Sequence, residues 1–368
     1  MNDVRIIAVA TANPPLRVSQ EETYQAYVNW LPLSDRAKDL LHRIFVINNS
    51  IGYRHFGMDS LADILLDSQD ALIARYKKYA VRTAVEAAQK ALGRARIGPD
   101  GAGPAGEEEG TPVSPEEIDA IVVNSCTGYL CPGLTSYVAE ALGLRPDVHP
   151  YDLQGMGCGA ALPNLESAYN YLQARPDRTV LAIAVEICSA TLYFDESPDI
   201  LISNALFGDG AAAVLLTNRP GQGGVRLRGF SAGLYPQDRE HLYFRTENSK
   251  LRNVLSVQVP AVGARNGGEV IDRLLAEQHQ AHDGIDHWLV HPGGQKVLDT
   301  FHEALALPPN ALDASRKVLY DYGNMSSASV LFVLEEVLRN GATRPGDAGV
   351  MCSFGAGFGA YAGLLNFL

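Results

Sequence analysis

Three residues of this chain pair a reactive group with surroundings that would present it. Cys158 lies in Gly155-Met156-Gly157-Cys158-Gly159-Ala160, where a strand is expected to turn into a helix. Unpaired N–H groups and the positive end of the dipole at a helix start lower a thiol pKa from about 8.5, which favours the nucleophilic thiolate. The glycines permit a tight turn and close approach of a substrate, which a cysteine used only for packing does not need. His291 follows Trp288-Leu289-Val290 and precedes Pro292-Gly293-Gly294. Ligand sites of α/β proteins gather at such strand ends. A neutral imidazole there could take the thiol proton or donate to an oxyanion, or simply be satisfied within the turn. Asn324, in Tyr322-Gly323-Asn324-Met325-Ser326-Ser327, carries an amide that can stabilise an oxyanion but cannot titrate. That separates the trio from a thiol protease, where asparagine orients the histidine. A helix N-cap is the competing role for Asn324.

The elements that must hold these residues occur twice. Ile118-Asp119-Ala120-Ile121-Val122-Val123 is echoed by Ile285-Asp286-His287-Trp288-Leu289-Val290. Gly157-Cys158-Gly159 is echoed by Gly323-Asn324-Met325, and the strand Gly210–Leu216 by Gly359–Leu365. Three matches in one order predict two similar α/β halves, residues 1–224 with the cysteine and 225–368 with the histidine and asparagine. Cys158 and Asn324 then occupy equivalent points, each at a helix start. Alternation of strands and helices predicts mostly parallel sheets covered by helices. Helices are expected over Gln20–Phe45 and Ala74–Gly93. Gly98–Pro115, rich in Gly, Pro and Glu, reads as a mobile surface loop.

Composition excludes several classes. The net charge of −12 opposes sequence-independent nucleic-acid binding, which needs a basic face. Five cysteines without CxxC spacing favour free thiols over disulfides or structural zinc. No run approaches the roughly 18 apolar residues of a membrane span, and the N-terminal residues lack a signal-peptide pattern. A cytoplasmic protein is expected. His279, His282, Asp283, Asp286 and His287 crowd one stretch, read as a solvated polar turn rather than a metal site.

Gly155–Ala160, Phe207-Gly208-Asp209-Gly210-Ala211-Ala212, His291-Pro292-Gly293-Gly294 and Tyr322–Ser327 together resemble the blocks of type III polyketide synthases, the chalcone synthase-like enzymes, in a bacterial-type form. The resemblance runs over nearly the whole chain. It implies the thiolase fold, five layers α-β-α-β-α from two similar halves, and a homodimer acting on an acyl-CoA starter and malonyl-CoA. No cofactor or metal is implied, since the CoA thioesters are the substrates. Cys158 would hold the acyl chain. His291 and Asn324 would hold the malonyl thioester oxygen while CO2 leaves. Phe207 would be a gate between the CoA tunnel and the acyl cavity, or ordinary core packing. Gly293 and Gly294 would line the pantetheine path.

Some positions depart from the plant pattern. Asn253 falls where plant members carry a second gate phenylalanine. Their phosphate-binding basic residues find no clean match, which leaves Arg54 as a nearby candidate. Cys126 and Cys188 fall at cavity-lining positions, and Cys188 resembles bacterial members that accept long acyl chains. The expected products are alkylresorcinols or alkylpyrones from long-chain starters. A single-condensation enzyme like ketoacyl-acyl-carrier-protein synthase III shares the Cys-His-Asn trio. Its histidine, however, typically opens a His-Gln-Ala-Asn block rather than His291-Pro292-Gly293-Gly294.

Overall fold

In the computed structural model, which describes residues 3–97, 111–221 and 223–368, the repeated motifs become repeated topology. Nine strands form one sheet: β1 (Arg5–Ala12), β2 (Ala120–Asn124), β3 (His149–Leu153), β4 (Thr179–Ile187), β5 (Asp209–Thr217), β6 (Val225–Leu234), and, beyond a hairpin of β7 (Leu242–Glu247) and β8 (Lys250–Leu255), β9 (His287–Val290), β10 (Ala348–Gly355) and β11 (Gly359–Phe367). Their order is β9-β10-β11-β6-β1-β5-β4-β2-β3. Strand β2 lies parallel to β4, which is antiparallel to β5, which is antiparallel to β1. The second run repeats this: β9 is parallel to β10, then β11 and β6 follow antiparallel. The runs meet where Arg5 pairs with Arg226 and Ile6 with Val225.

Layering follows from burial. Helix α1 (Gln69–Arg94) turns Ala80, Ala84, Ala87, Ala88 and Ala91 onto the first run, small side chains that let helix and sheet approach closely. Helix α2 (Ala161–Ala174), which follows Cys158, lies in the middle layer. Helix α3 (Pro198–Leu206) precedes Phe207, and α4 (Val259–Glu277) covers the second run. Helix α5 (Ser329–Arg339), which follows Asn324, joins α2 in the middle, and both pack against strands of both runs. Strands β4 and β5 are buried along their whole length, as their near-continuous apolar sequences require. These are the five layers of the thiolase fold.

Three expectations change. The pairings are mainly antiparallel, because β10 and β11 are joined by a turn too short for a parallel crossover. The segment Gln20–Phe45 is two α-helices, Gln20–Trp30 and Asp35–His42, since Pro32 interrupts it and Ser34 caps the second, which runs on into a π-helical turn at Arg43–Ile47. Of the expected loop Gly98–Pro115, residues 98–110 lie outside the described residues; Thr111–Pro112 pairs with Arg96–Ile97.

Candidate active site

Cys158 occupies a single 3-10 turn, Gly157–Gly159, just before α2. Gly157 has φ +56°, and a Cβ there would meet the backbone nitrogen of Ala356 at 2.9 Å, so glycine is required. The Ser353 hydroxyl donates to the Gly159 carbonyl at 3.1 Å, fastening the turn to β10. Burial pushes the Cys158 thiol up to about 12, while a hydrogen bond from Ser326 pulls the other way. The lowering expected from the helix start is therefore outweighed by desolvation.

His291 continues β9, its N–H bonded to the Cys352 carbonyl at 2.8 Å. Its ring stands edge-on to Phe354 at 6.0 Å, and Phe354 stacks between Phe301 and Phe358. The imidazole is buried, and its Nδ1 has no hydrogen-bond partner. Burial pushes it down to about 3, so it is neutral at pH 7.

Asn324 is held by both halves. Its backbone N–H donates to Leu206 at 3.0 Å and its carbonyl accepts from Gly208 at 2.9 Å, forming an isolated parallel bridge with Phe207. Gly323 before it has φ +69° and packs on Arg54. The Asn324 amide donates to the Gly293 carbonyl at 3.3 Å and accepts from the Ser326 N–H at 2.8 Å. Ser326, at φ +49°, directs its hydroxyl to Cys158 Sγ at 3.3 Å. Gly293 in turn donates its N–H to the His291 carbonyl at 2.8 Å. Cys158, Ser326, Asn324, Gly293 and His291 thus form one connected chain of contacts.

Two spaces adjoin it. Cys126, Cys158, Cys188, Phe207, Phe244 and Asn253 line an inner cavity of about 30 Å³, together with Thr127, Thr191 and Ser326. An outer cleft of about 310 Å³ is lined by Gly293, Gly294, Lys296, Leu206, Ile44 and Val257, among others. Consecutive residues Leu206 and Phe207 therefore face the two spaces in turn. Asn253 stands in the inner wall, its amide 3.3 Å from the Ser203 hydroxyl of α3.

Arg54 is a correction. It is fully buried, donating to Gln20 at 2.8 Å and to the carbonyls of Asn204 and Phe207 at 2.6 and 2.8 Å. A guanidinium committed to the interior does not reach a CoA phosphate. Its surroundings come from strands and helices far apart in sequence, so its position gave no local sign of burial.

Sequence reasoning missed Glu186, at the inner end of β4. It is fully buried and accepts from Ser327, from Thr127 at 2.9 Å, from the Cys126 N–H at 3.0 Å and from the Cys126 thiol at 3.4 Å. Burial raises its pKa, opposed by these donors. A lone acid in the apolar run Val180–Ile187 was its signal. The histidine-rich stretch is dispersed: His282 bonds Asp272 and His287 bonds Asp347, each at 2.8 Å. Among the described residues, no group of three or more His, Cys, Asp or Glu side chains is placed to hold a metal ion, and no helix is long and apolar enough to cross a membrane.

Comparison with known proteins follows the same lines. Residues 109–226 match the model of FAE1/type III polyketide synthase-like proteins, and residues 231–366 that of the C-terminal domain of chalcone and stilbene synthases. The chain is 35% identical to a 1,3,6,8-tetrahydroxynaphthalene synthase of Streptomyces peucetius subsp. caesius, over 98% of this chain and 93% of that one. It is 31% identical to a 3,5-dihydroxyphenylacetyl-CoA synthase of Streptomyces toyocaensis, over 96% and 87%. The crystal structure of a tetrahydroxynaphthalene synthase from Streptomyces coelicolor A3(2) superposes with a TM-score of 0.87 at 25% identity, covering 99% of each chain.

Proposed function

Because the chain belongs to the type III polyketide synthases, acyltransferase-type enzymes, we propose that Cys158, His291 and Asn324 carry out its decarboxylative condensation. The carrying observation is the connected chain from Cys158 through Ser326 and Asn324 to Gly293 and His291. Cys158 sulfur attacks the starter thioester carbonyl. Its proton passes to His291 and on to the departing CoA thiolate. Burial keeps both groups neutral beforehand, so the thiolate forms only as substrate arrives.

Malonyl-CoA then enters, its thioester oxygen held by Asn324 Nδ2 and the His291 N–H. The C–C bond to the carboxylate breaks, CO2 leaves, and the electron pair becomes an enolate whose oxygen these donors stabilise. The enolate carbon attacks acyl-Cys158, a C–C bond forms and the C–S bond breaks. The extended thioester reloads Cys158, and repetition followed by ring closure gives the product. Gly293 and Gly294 line the pantetheine path, where the missing side chains leave room. Lys296, on the same cleft, supplies a cation for a CoA phosphate. Phe207 and Asn253 bound the inner cavity as its gate.

The starter is a short acyl group, and the product a small polyhydroxylated aromatic or pyrone. The inner cavity of about 30 Å³ holds about two water molecules with its wall as it stands, which favours a short starter over a fatty chain. Long-chain starters giving alkylresorcinols or alkylpyrones are the second reading, favoured by the compact apolar thiols of Cys126 and Cys188 in the cavity wall. The working unit is a homodimer, consistent with the exposed edge strand β3, whose Tyr151 is 41% exposed, and with the exposed Tyr129.

The test is mass spectrometry of products from malonyl-CoA alone and with short, aromatic and long-chain acyl-CoA starters. Multiply extended products are expected, with short starters preferred. A single condensation, or turnover only with an acyl carrier protein, would move the assignment to the ketoacyl synthase class.

A further inference from the structure

The inner cavity has a wall unlike the rest of the fold. Strands β7 and β8 form an isolated two-stranded ribbon, paired with each other and with no third strand. Leu242, Tyr243, Phe244 and Asn253 from this ribbon face the cavity that holds Cys158. Two-stranded ribbons are marginally stable alone, so tertiary contacts must set the ribbon's position. The other lining residues sit at the ends of sheet strands and in the turns before the middle helices: Cys126 and Thr127 follow β2, Cys188 and Thr191 follow β4, Ala356 follows β10, and Cys158 and Ser326 precede α2 and α5.

Lys250 pairs with Asp67, Asn248 donates to the Tyr193 hydroxyl at 3.0 Å, and one further side chain gathers several contacts at once. Arg252 of β8 reaches Asp195 at 2.9 Å, Asp199 at 3.5 Å and Glu247 at 3.2 Å, and donates to the Ser197 hydroxyl at 2.8 Å. Its guanidinium also lies 5.4 Å from the centre of the Tyr193 ring. Only 11% of the Arg252 side chain is exposed, so these contacts are shielded more than ordinary surface pairs. Asp195 and Ser197 lead into α3, and Asp199 is in its first turn. That helix ends at Leu206, directly before Phe207. The clamp thus ties the ribbon to the helix carrying the gate, one residue before Asn253.

A growing polyketide requires this wall to move. Each added ketide unit brings two carbons and a carbonyl oxygen into a space of about 30 Å³. Resting on the condensation reading above, we propose that Arg252 is a positioning residue for product length. By clamping β8 to the Asp195–Asp199 segment, it sets how far the ribbon yields, and so how many units are added before cyclisation or release. It touches neither the cavity nor the reacting atoms.

The experiment compares wild type with Arg252→Met and Arg252→Lys, using malonyl-CoA alone and with hexanoyl-CoA. It measures product distribution by mass spectrometry and CO2 release in parallel. Arg252→Met is expected to shift the ratio of longer to shorter products by about fivefold or more, the equivalent of losing one shielded charged contact, while CO2 release changes less than about twofold. Arg252→Lys, which keeps the charge but not the fork, is expected to fall between. An unchanged product ratio in folded Arg252→Met would overturn the proposal, as would a ratio unchanged while CO2 release collapses. Should Arg252→Met not fold, the Asp195→Asn, Asp199→Asn pair, on side chains about one-third exposed, carries the same expectation and the same overturning result. Failure of wild type to make any extended product would instead sink the condensation reading itself.

Discussion

The hydroxyl of Ser326 lies 3.3 Å from the sulfur of Cys158 and donates to it. Burial pushes that thiol up to about 12 even with this hydrogen bond opposing it. Ser326→Ala should therefore slow thiolate formation. A hydrogen bond worth about 1 kcal/mol corresponds to roughly a fivefold effect. Alkylation by iodoacetamide and acylation by the starter should slow together by about that factor. Equal rates in the two proteins would remove Ser326 from the activation of Cys158.

Cys158→Ala and Asn324→Ala should separate the two half-reactions. The first should form no acyl-enzyme visible as a mass shift of the intact protein. The second should still acylate, yet lose CO2 release from malonyl-CoA by about 10²–10³-fold, the usual cost of an oxyanion donor. A labelled Cys158→Ala protein, or undiminished CO2 release by Asn324→Ala, would reassign the role concerned.

The buried titratable groups give a pH signature in stability. His291 falls from its ordinary 6.5 to about 3 on folding, so the unfolded chain binds the extra proton between those values. Stability from this group is lost progressively as pH drops from 6.5 towards 3, at up to about 1.4 kcal/mol per pH unit. Asp209 rises from 3.8 to about 6, chiefly through burial, so its contribution runs the other way and is lost as pH rises from 3.8 to 6. The two oppose each other between pH 4 and 6. His291→Gln removes only the first, so its melting temperature should gain on wild type as pH falls from 6.5 to 4. Parallel curves for the two proteins would show that His291 is not buried neutral.

Arg54→Met keeps much of the volume but leaves the carbonyls of Asn204 and Phe207 without their donor. The expected loss is about 2–4 kcal/mol, read by denaturant unfolding. A change below about 0.5 kcal/mol would show that neighbouring groups take over these bonds.

The proposed trio of Cys158, His291 and Asn324 could be picked out because its constraints are local. Gly157 at φ +56° and Gly323 at φ +69° flank Cys158 and Asn324, and such backbone conformations select glycine irrespective of distant contacts. The duplication was readable for a related reason, since each half needs the same small-residue strand beside its central helix. Glu186 showed only as a lone acid in an apolar run, and Arg54 and Arg252 were not readable in this way. Their partners lie far away in sequence, and an isolated charge shows a polar side chain without showing whether it faces solvent or core. Cavity volume was also out of reach. Cys126 and Cys188 are part of the cavity wall, and the space also depends on the ribbon of β7 and β8, which nothing in the sequence around those cysteines reveals.

The parallel bridge between Phe207 and Asn324 matters for redesign. Enlarging the proposed gate to admit new starters is an obvious first move for an engineer, yet its neighbours Leu206 and Gly208 hydrogen-bond through the backbone to Asn324, whose amide is proposed to hold the enolate. Libraries at position 207 should therefore trade breadth against turnover. Diversity is better introduced at Asn253 or along the ribbon, whose backbone is not shared with the segment bearing that amide.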